Sequence, residues 1–109
     1  MVRNEIIEVL RRYFVALESV GIQVGFGVLF GSHARGESTG SSDIDVIVVS
    51  SVFDNDRGYE PVDRLWITKA AIDHRIEPVP CGLKEWESDD SRAIVEIARR
   101  EGMRIDVAV

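Results

Sequence analysis

Two aspartates separated by one residue, Asp43 and Asp45, stand at the start of an apolar run that ends at Val49. Residues two apart in a strand leave the same face, and their Cα atoms lie roughly 6.5–7 Å apart. Carboxylate oxygens are the ligands that a hard cation such as Mg²⁺ prefers, and a cation relieves the repulsion between two ionised aspartates. The pair therefore predicts a metal site. The alternative is that both acids simply lie at a solvated strand start.

A glycine-serine turn, Gly31 and Ser32, ends the preceding apolar run. Glycine lets a phosphate approach the backbone closely. A short helix is predicted over His33 to Arg35, closed by Gly36, and its first N–H groups and the Ser32 hydroxyl can bind phosphate oxygens. Ser32 could equally be only a helix cap, which is compatible with phosphate binding. Arg35 could neutralise phosphate charge or pair with a nearby acid, and the sequence favours neither.

Hydrophobic periodicity predicts the elements that must position these residues. The predicted helices cover 3–20, 61–72, a single turn at 83–88, and a helix capped by Ser91 that ends at Gly102. The predicted strands cover 22–30, 43–49, 74–79 and 103–109, and a polar turn covers 52–59. This order indicates an α/β (α+β) fold, a single small domain with a mixed sheet and helices packed on it.

The same patterns predict how individual side chains are placed. Gly25 and Gly27 inside the first strand indicate a point where a backbone or ligand comes close. Pro78 confines the third strand to a sheet edge or its end. Core-facing helix positions are expected at Leu65, Trp66 and Ile67, and at Ile94, Val95, Ile97 and Ala98.

Composition limits the classes of function. The net charge of −6 argues against broad nucleic-acid binding, which usually needs a basic surface. No apolar run approaches the roughly 18 residues of a membrane span. The single cysteine, Cys81, excludes an internal disulfide and a cysteine-based zinc site, fits a cytoplasmic protein, and is expected to be a small buried residue. His33 and His74 show no metal-ligand spacing, so surface or packing roles are expected for both.

The motif Gly31-Ser32-x-Ala34-Arg35-Gly36, followed by Ser42-Asp43-x-Asp45 and an apolar strand, resembles the signature of the DNA polymerase beta-like nucleotidyltransferase superfamily. The small size makes the chain most similar to the minimal nucleotidyltransferases, which are often antitoxins found beside HEPN-domain toxins. The resemblance implies a polymerase beta-like nucleotidyltransferase core over residues 1–109. It also implies a third carboxylate on a later strand. Glu77 is the candidate and Asp73 the runner-up, while a surface acid on an edge strand is the alternative for Glu77.

The resemblance implies a Mg²⁺-dependent transfer of a nucleoside monophosphate, AMP from ATP, onto a hydroxyl acceptor. Two Mg²⁺ ions would be held by Asp43, Asp45 and Glu77, and the nucleotide would be bound by Gly31, Ser32, Arg35 and Ser42. The expected acceptor is a tyrosine of a HEPN toxin, which the transfer would neutralise. Because larger relatives carry a further acceptor-binding domain, we expect the acceptor to dock on an exposed site or to be presented by a partner.

Two other functions fit the same residues. One is a non-catalytic interaction module that neutralises its partner by binding alone. The other is a transferase for a small acceptor such as an aminoglycoside. A homodimer and a hetero-oligomer are both compatible with the sequence.

Overall fold

A four-stranded mixed sheet carries helices on both faces. The structure is a computed structural model that describes residues 4–39, 41–55, 59–88 and 91–107. In chain order its elements are α1 (Asn4–Ser19), β1 (Phe26–Phe30), α2 (Ser32–Arg35), β2 (Ile44–Val49), α3 (Val52–Asn55), α4 (Tyr59–Ile72), β3 (Ile76–Cys81), α5 (Leu83–Ser88), α6 (Ala93–Glu101) and β4 (Met103–Ile105). This confirms the expected α+β architecture.

The strand order across the sheet is β3-β2-β1-β4. β1 pairs antiparallel with both β2 and β4, whereas β2 and β3 run parallel. β2 is rich in β-branched residues, which pack well on a pleated surface, and five of its six residues are buried. The two central strands, β1 and β2, therefore form the core of the sheet.

Alternation along the strands divides the core into two layers. Ile44, Val46 and Val48 of β2 belong to the cluster that includes the buried side of α1 and Leu65 of α4. Ile47 and Val49 belong to the opposite cluster. That second cluster also holds Phe26, Val28 and Phe30 of β1, Cys81 of β3, and Val95 and Ala98 of α6, with Trp86 packed against it.

β3 is an edge strand that contains two prolines. The Ile44 N–H donates to the Arg75 carbonyl at 2.8 Å, and the Ser50 N–H donates to the Cys81 carbonyl at 3.0 Å. Odd-numbered residues of β3 therefore direct their backbone groups toward β2. Pro78 and Pro80 point away from β2, where no N–H is required. The predicted edge position of Pro78 is confirmed.

A buried hydrogen bond joins α1 to α4. The Tyr13 hydroxyl donates to the Leu65 carbonyl at 2.8 Å, and both side chains are fully buried. Burial raises the pKa of Tyr13 far above its ordinary value, so the hydroxyl stays protonated. In the described part of the chain, no helix is long and apolar enough to cross a membrane.

Several sequence predictions differ from the structure. Trp66 and Ile67 are 42% and 72% exposed, so α4 has a narrower buried stripe than its apolar composition indicated. Likewise Val95 and Ala98 of α6 are buried, whereas Ile94 and Ile97 are partly exposed. Apolar composition does not by itself fix the width of the buried stripe, because folded surfaces also contain many apolar atoms.

Element boundaries differ as well. The predicted strand 22–30 is regular only from Phe26, and the predicted polar turn begins as helix α3, in which Phe53 is buried. The turn's Asp56, Arg57 and Gly58 lie outside the described residues. Arg92, rather than Ser91, occupies the N-cap position of α6. Both Ala108 and Val109 of the predicted last strand also lie outside the described residues.

The close approach predicted at Gly27 is made by a side chain. A Cβ built on Gly27 would lie inside the van der Waals radius of the Phe14 ring of α1. At Gly25 the nearest atom to a built Cβ is the Val49 carbonyl oxygen, at 3.3 Å. Gly27 therefore allows α1 to pack directly on the sheet.

We predict that Gly27→Ala lowers the free energy of unfolding by about 1–3 kcal/mol, because it overpacks the contact with Phe14. Gly25→Ala is the matched control, since Gly25 is exposed. Urea unfolding of both variants measures the difference. Equal stability of the two variants would contradict the packing role assigned to Gly27.

Candidate active site

The strand register places Asp45 between two neighbouring strands at one end of the sheet. Asp45 is opposite Phe30, the last residue of β1, and opposite Glu77 in the second position of β3. Residues opposite one another in adjacent strands point to the same face. Asp45 and Glu77, both partly buried, therefore lie side by side on the sheet face that also carries α6.

Gly31 packs against the carboxylate of Asp45. A Cβ built on Gly31 would collide with Asp45 Oδ2, and the Gly31 backbone has a φ of 76°, which L side chains rarely adopt. Both features require glycine at this position. The glycine of the turn and the second aspartate of the motif are therefore in direct contact, although they are far apart in sequence.

The third acid of the motif region, Asp43, is exposed and lies one residue before β2 begins. The pKa of Asp45 is raised first by burial and then by the negative charges of Asp43 and Glu77. His33 and Arg35 partly oppose that shift. Asp43, Asp45 and Glu77 therefore share one region of negative potential.

Asp73 has a different position. Its carboxylate accepts from Arg75 Nη2 at 2.7 Å and from Arg75 Nε at 3.0 Å, and this pairing lowers the pKa of Asp73 to about 2. Arg75 in turn accepts the first backbone hydrogen bond of β2 through its carbonyl. The structure thus places Asp73 in an ion pair that fixes the start of β3, whereas Glu77 is the acid next to Asp45.

Ser32 begins the four-residue helix α2, whose N-cap position is Gly31 and whose end is Gly36 in the left-handed conformation. Arg35 is exposed, and its guanidinium pairs with Glu37 at 2.5 Å and Glu101 at 3.7 Å. Of the two roles open for Arg35, the structure shows the ion pair with acids.

Ser42 closes the loop that leads to the aspartates. Its Oγ accepts from the Thr39 N–H at 2.8 Å, and its own N–H donates to the Thr39 carbonyl at 3.2 Å. The Ser42 carbonyl accepts from His33 Nε2 at 3.2 Å. The described contacts of Ser42 therefore hold the loop, and its predicted role in nucleotide binding stays a prediction.

The donor set fits a hard divalent cation. Three carboxylates in one region of negative potential supply the oxygen ligands that Mg²⁺ takes. Among the described residues, no group of three His, Cys, Asp or Glu side chains is already arranged to hold a metal ion. A cation held by all three acids would therefore require the exposed Asp43 carboxylate to turn toward Asp45.

Sequence reasoning gave too little weight to two residues around this site. His33 is only 3% exposed, so the packing alternative was correct and the surface alternative wrong. Arg75 pairs with Asp73 through its side chain and accepts from the Ile44 N–H through its carbonyl, which joins the start of β3 to β2. An available signal was the position of Asp73 and Arg75 immediately before the strand, because acids and arginines two residues apart can pair locally. No signal in the sequence located the burial of His33.

Comparisons with known proteins identify the family of this chain. The family model described as "Nucleotidyltransferase domain" matches residues 6–107, and the chain therefore belongs to this family. The superfamily resemblance is thereby confirmed. Members are enzymes that transfer nucleotidyl groups, and the family generally uses a nucleoside triphosphate and a divalent metal ion.

A solved structure supports the same fold. The crystal structure of a "putative nucleotidyltransferase" from Sulfolobus solfataricus superposes with a TM-score of 0.62 and 16% sequence identity. The match covers 92% of this chain and 78% of that chain. Comparison with curated proteins finds no matching sequence.

We predict that Asp45→Asn stabilises the protein in the absence of divalent cations at pH 7. Folding raises the pKa of this carboxyl, so its charged form is disfavoured by folding and destabilises the native state at any pH above its titration. Thermal unfolding in EDTA measures the change, with exposed Asp63→Asn as the matched control. A melting temperature of Asp45→Asn below that of the control would contradict the prediction.

Proposed function

We propose that the protein transfers AMP from ATP onto a hydroxyl acceptor, with Mg²⁺ bound by Asp43, Asp45 and Glu77. The observation that carries this proposal is the register that sets Asp45 beside Glu77 and directly against Gly31. One contact region thus combines a turn that a phosphate can approach with the acids that a cation requires. Membership in the nucleotidyltransferase domain family supports the reaction class.

The protein's own residues have separate tasks in this reaction. Gly31 leaves room beside the Asp45 carboxylate, and the Ser32 hydroxyl can donate to an oxygen of the β- or γ-phosphate. The partly buried Glu77 carboxylate can accept the proton of the attacking hydroxyl. The acceptor oxygen forms a bond to the α-phosphorus, the bond to the β-phosphate oxygen breaks, and pyrophosphate leaves.

A bound divalent cation would neutralise negative charge on the triphosphate. Without the cation, the three carboxylates would repel that charge. By resemblance to the superfamily, Asp43, Asp45 and Glu77 would hold two Mg²⁺ ions. Arg35, held by Glu37 and Glu101, adds positive charge whose field reaches Asp45. Positioning and charge neutralisation therefore account for most of the proposed catalysis.

The proposed acceptor is a tyrosine hydroxyl of a HEPN-type toxin, which the transfer would inactivate. The support is the resemblance to minimal nucleotidyltransferases. The exposed Trp66 and Ile67 of α4 lie in the helix layer opposite the acids, so they would offer a protein partner a contact area separate from the site. In this proposal the partner presents its own acceptor to the site.

We predict that Asp43→Asn, Asp45→Asn and Glu77→Gln each lower Mg²⁺-dependent pyrophosphate release by at least ~100-fold, because each removes charge from the site. Asp63→Asn, an exposed acid on α4, is the matched control and keeps the wild-type rate. Steady-state pyrophosphate release from ATP with an acceptor present measures the effect. Full activity of the Asp45→Asn variant would refute the proposed role of the acids.

Transfer of label from α-labelled ATP to the neighbouring gene's product tests the acceptor. Label on a tyrosine of that protein supports toxin modification. A tight complex without label or nucleotide binding indicates a non-catalytic interaction module instead. Label found only on an added aminoglycoside would point to the small-molecule transferase and would overturn the toxin as acceptor.

A further inference from the structure

We propose that His33 is a positioning residue that holds the loop carrying Asp43 against the phosphate-binding turn. The inference rests on the proposed function, because it concerns the same acids. It assigns a specific task to a residue that lies at a variable position of the family motif. This residue is also not one of the three acids. Both the location of the His33 ring and the direction of its hydrogen bond point to this role.

The His33 ring is buried. A polar ring that is shielded from water needs a hydrogen-bond partner within the protein. His33 is 3% exposed although it belongs to a four-residue helix at the end of the sheet. Its Nε2 lies 3.2 Å from the Ser42 carbonyl oxygen. A carbonyl oxygen only accepts hydrogen bonds, so Nε2 carries the proton and donates. Loss of the Nε2 donor would leave the partly buried Ser42 carbonyl without this hydrogen bond.

The bond joins the two halves of the motif. His33 follows Gly31 and Ser32 on the turn, whereas Ser42 immediately precedes Asp43. The next backbone contact along the chain is the Ile44 N–H to the Arg75 carbonyl at 2.8 Å. Asp43 is therefore fixed on one side by the His33 bond to Ser42 and on the other by the start of β2.

Without the His33 bond, the exposed Asp43 is held less firmly near Asp45. Asp43 and Asp45 are separated by one residue, so their carboxylates repel each other when both are charged. The loop that precedes Asp43 can relax by moving this residue outward. A residue that resists this movement preorganises the cation site before the cation binds.

Replacement by glutamine and by leucine separates hydrogen bonding from packing. The amide nitrogen of glutamine can occupy the place of Nε2, whereas leucine fills the volume without a donor. His74, the second of the two histidines, is exposed and provides the matched controls His74→Gln and His74→Leu. All variants are compared at the same pH and ionic strength.

The first measurement is hydrogen–deuterium exchange of the metal-free protein. We expect His33→Leu to speed exchange in the 37–43 segment ~10-fold, while α1 and α4 keep their protection. The second is Mn²⁺ affinity by calorimetry, expected to fall ~10-fold in the same variant. His33→Gln and both His74 variants stay within ~2-fold of the wild type in both measurements.

Equal effects of His33→Leu and His33→Gln would show a packing role and overturn the proposal, as would no effect of either. If His33→Leu does not fold, the histidine long-range ¹H–¹⁵N spectrum of the wild type decides. A proton on Nε2 of His33 supports the proposal, and a proton on Nδ1 alone overturns it. If Asp45→Asn bound Mn²⁺ as tightly as the wild type does, the proposed function would be refuted. Hydrogen exchange in the 37–43 segment would still decide the role of His33.

Discussion

The parallel pairing of β2 with β3 is the constraint on which the site depends. A shift of this pairing by one residue would move Glu77 to the opposite face of the sheet, away from Asp45. The backbone bond from the Ile44 N–H to the Arg75 carbonyl joins the two strands where both begin, and the Asp73–Arg75 ion pair orders the residues just before β3. Residues that take no part in the proposed chemistry therefore determine whether the acids meet.

The site conflicts with the stability of the fold around it. Three acids share one region, and a glycine at positive φ is required beside one of them. The like charges repel one another, and the glycine loses more backbone freedom on folding than another residue would. The two hydrophobic layers of the sheet and the buried Tyr13 bond must offset this. Such a balance is expected where function requires groups that packing alone would not select.

Much of this arrangement could be predicted from sequence because local rules determine it. Alternation of side chains along a strand predicted which faces of their strands Asp45 and Glu77 occupy. The glycine-serine turn was predicted from the residue types. Sequence periodicity could not show that Ile67 is exposed or that Phe53 is buried, because both depend on which elements pack together. Nor could it show that Gly31 contacts Asp45, since that contact depends on the antiparallel pairing of β1 with β2.

The two prolines of β3 have a consequence for how the sheet can grow. On the outer side of this strand, Pro78 and Pro80 supply no amide protons, and the Pro80 carbonyl already accepts from Arg92 at 3.1 Å. A foreign strand, whether from a partner or from a misfolded copy, finds no regular ladder to extend there. Backbone pairing with a further strand is therefore disfavoured at the border of the sheet that carries Glu77.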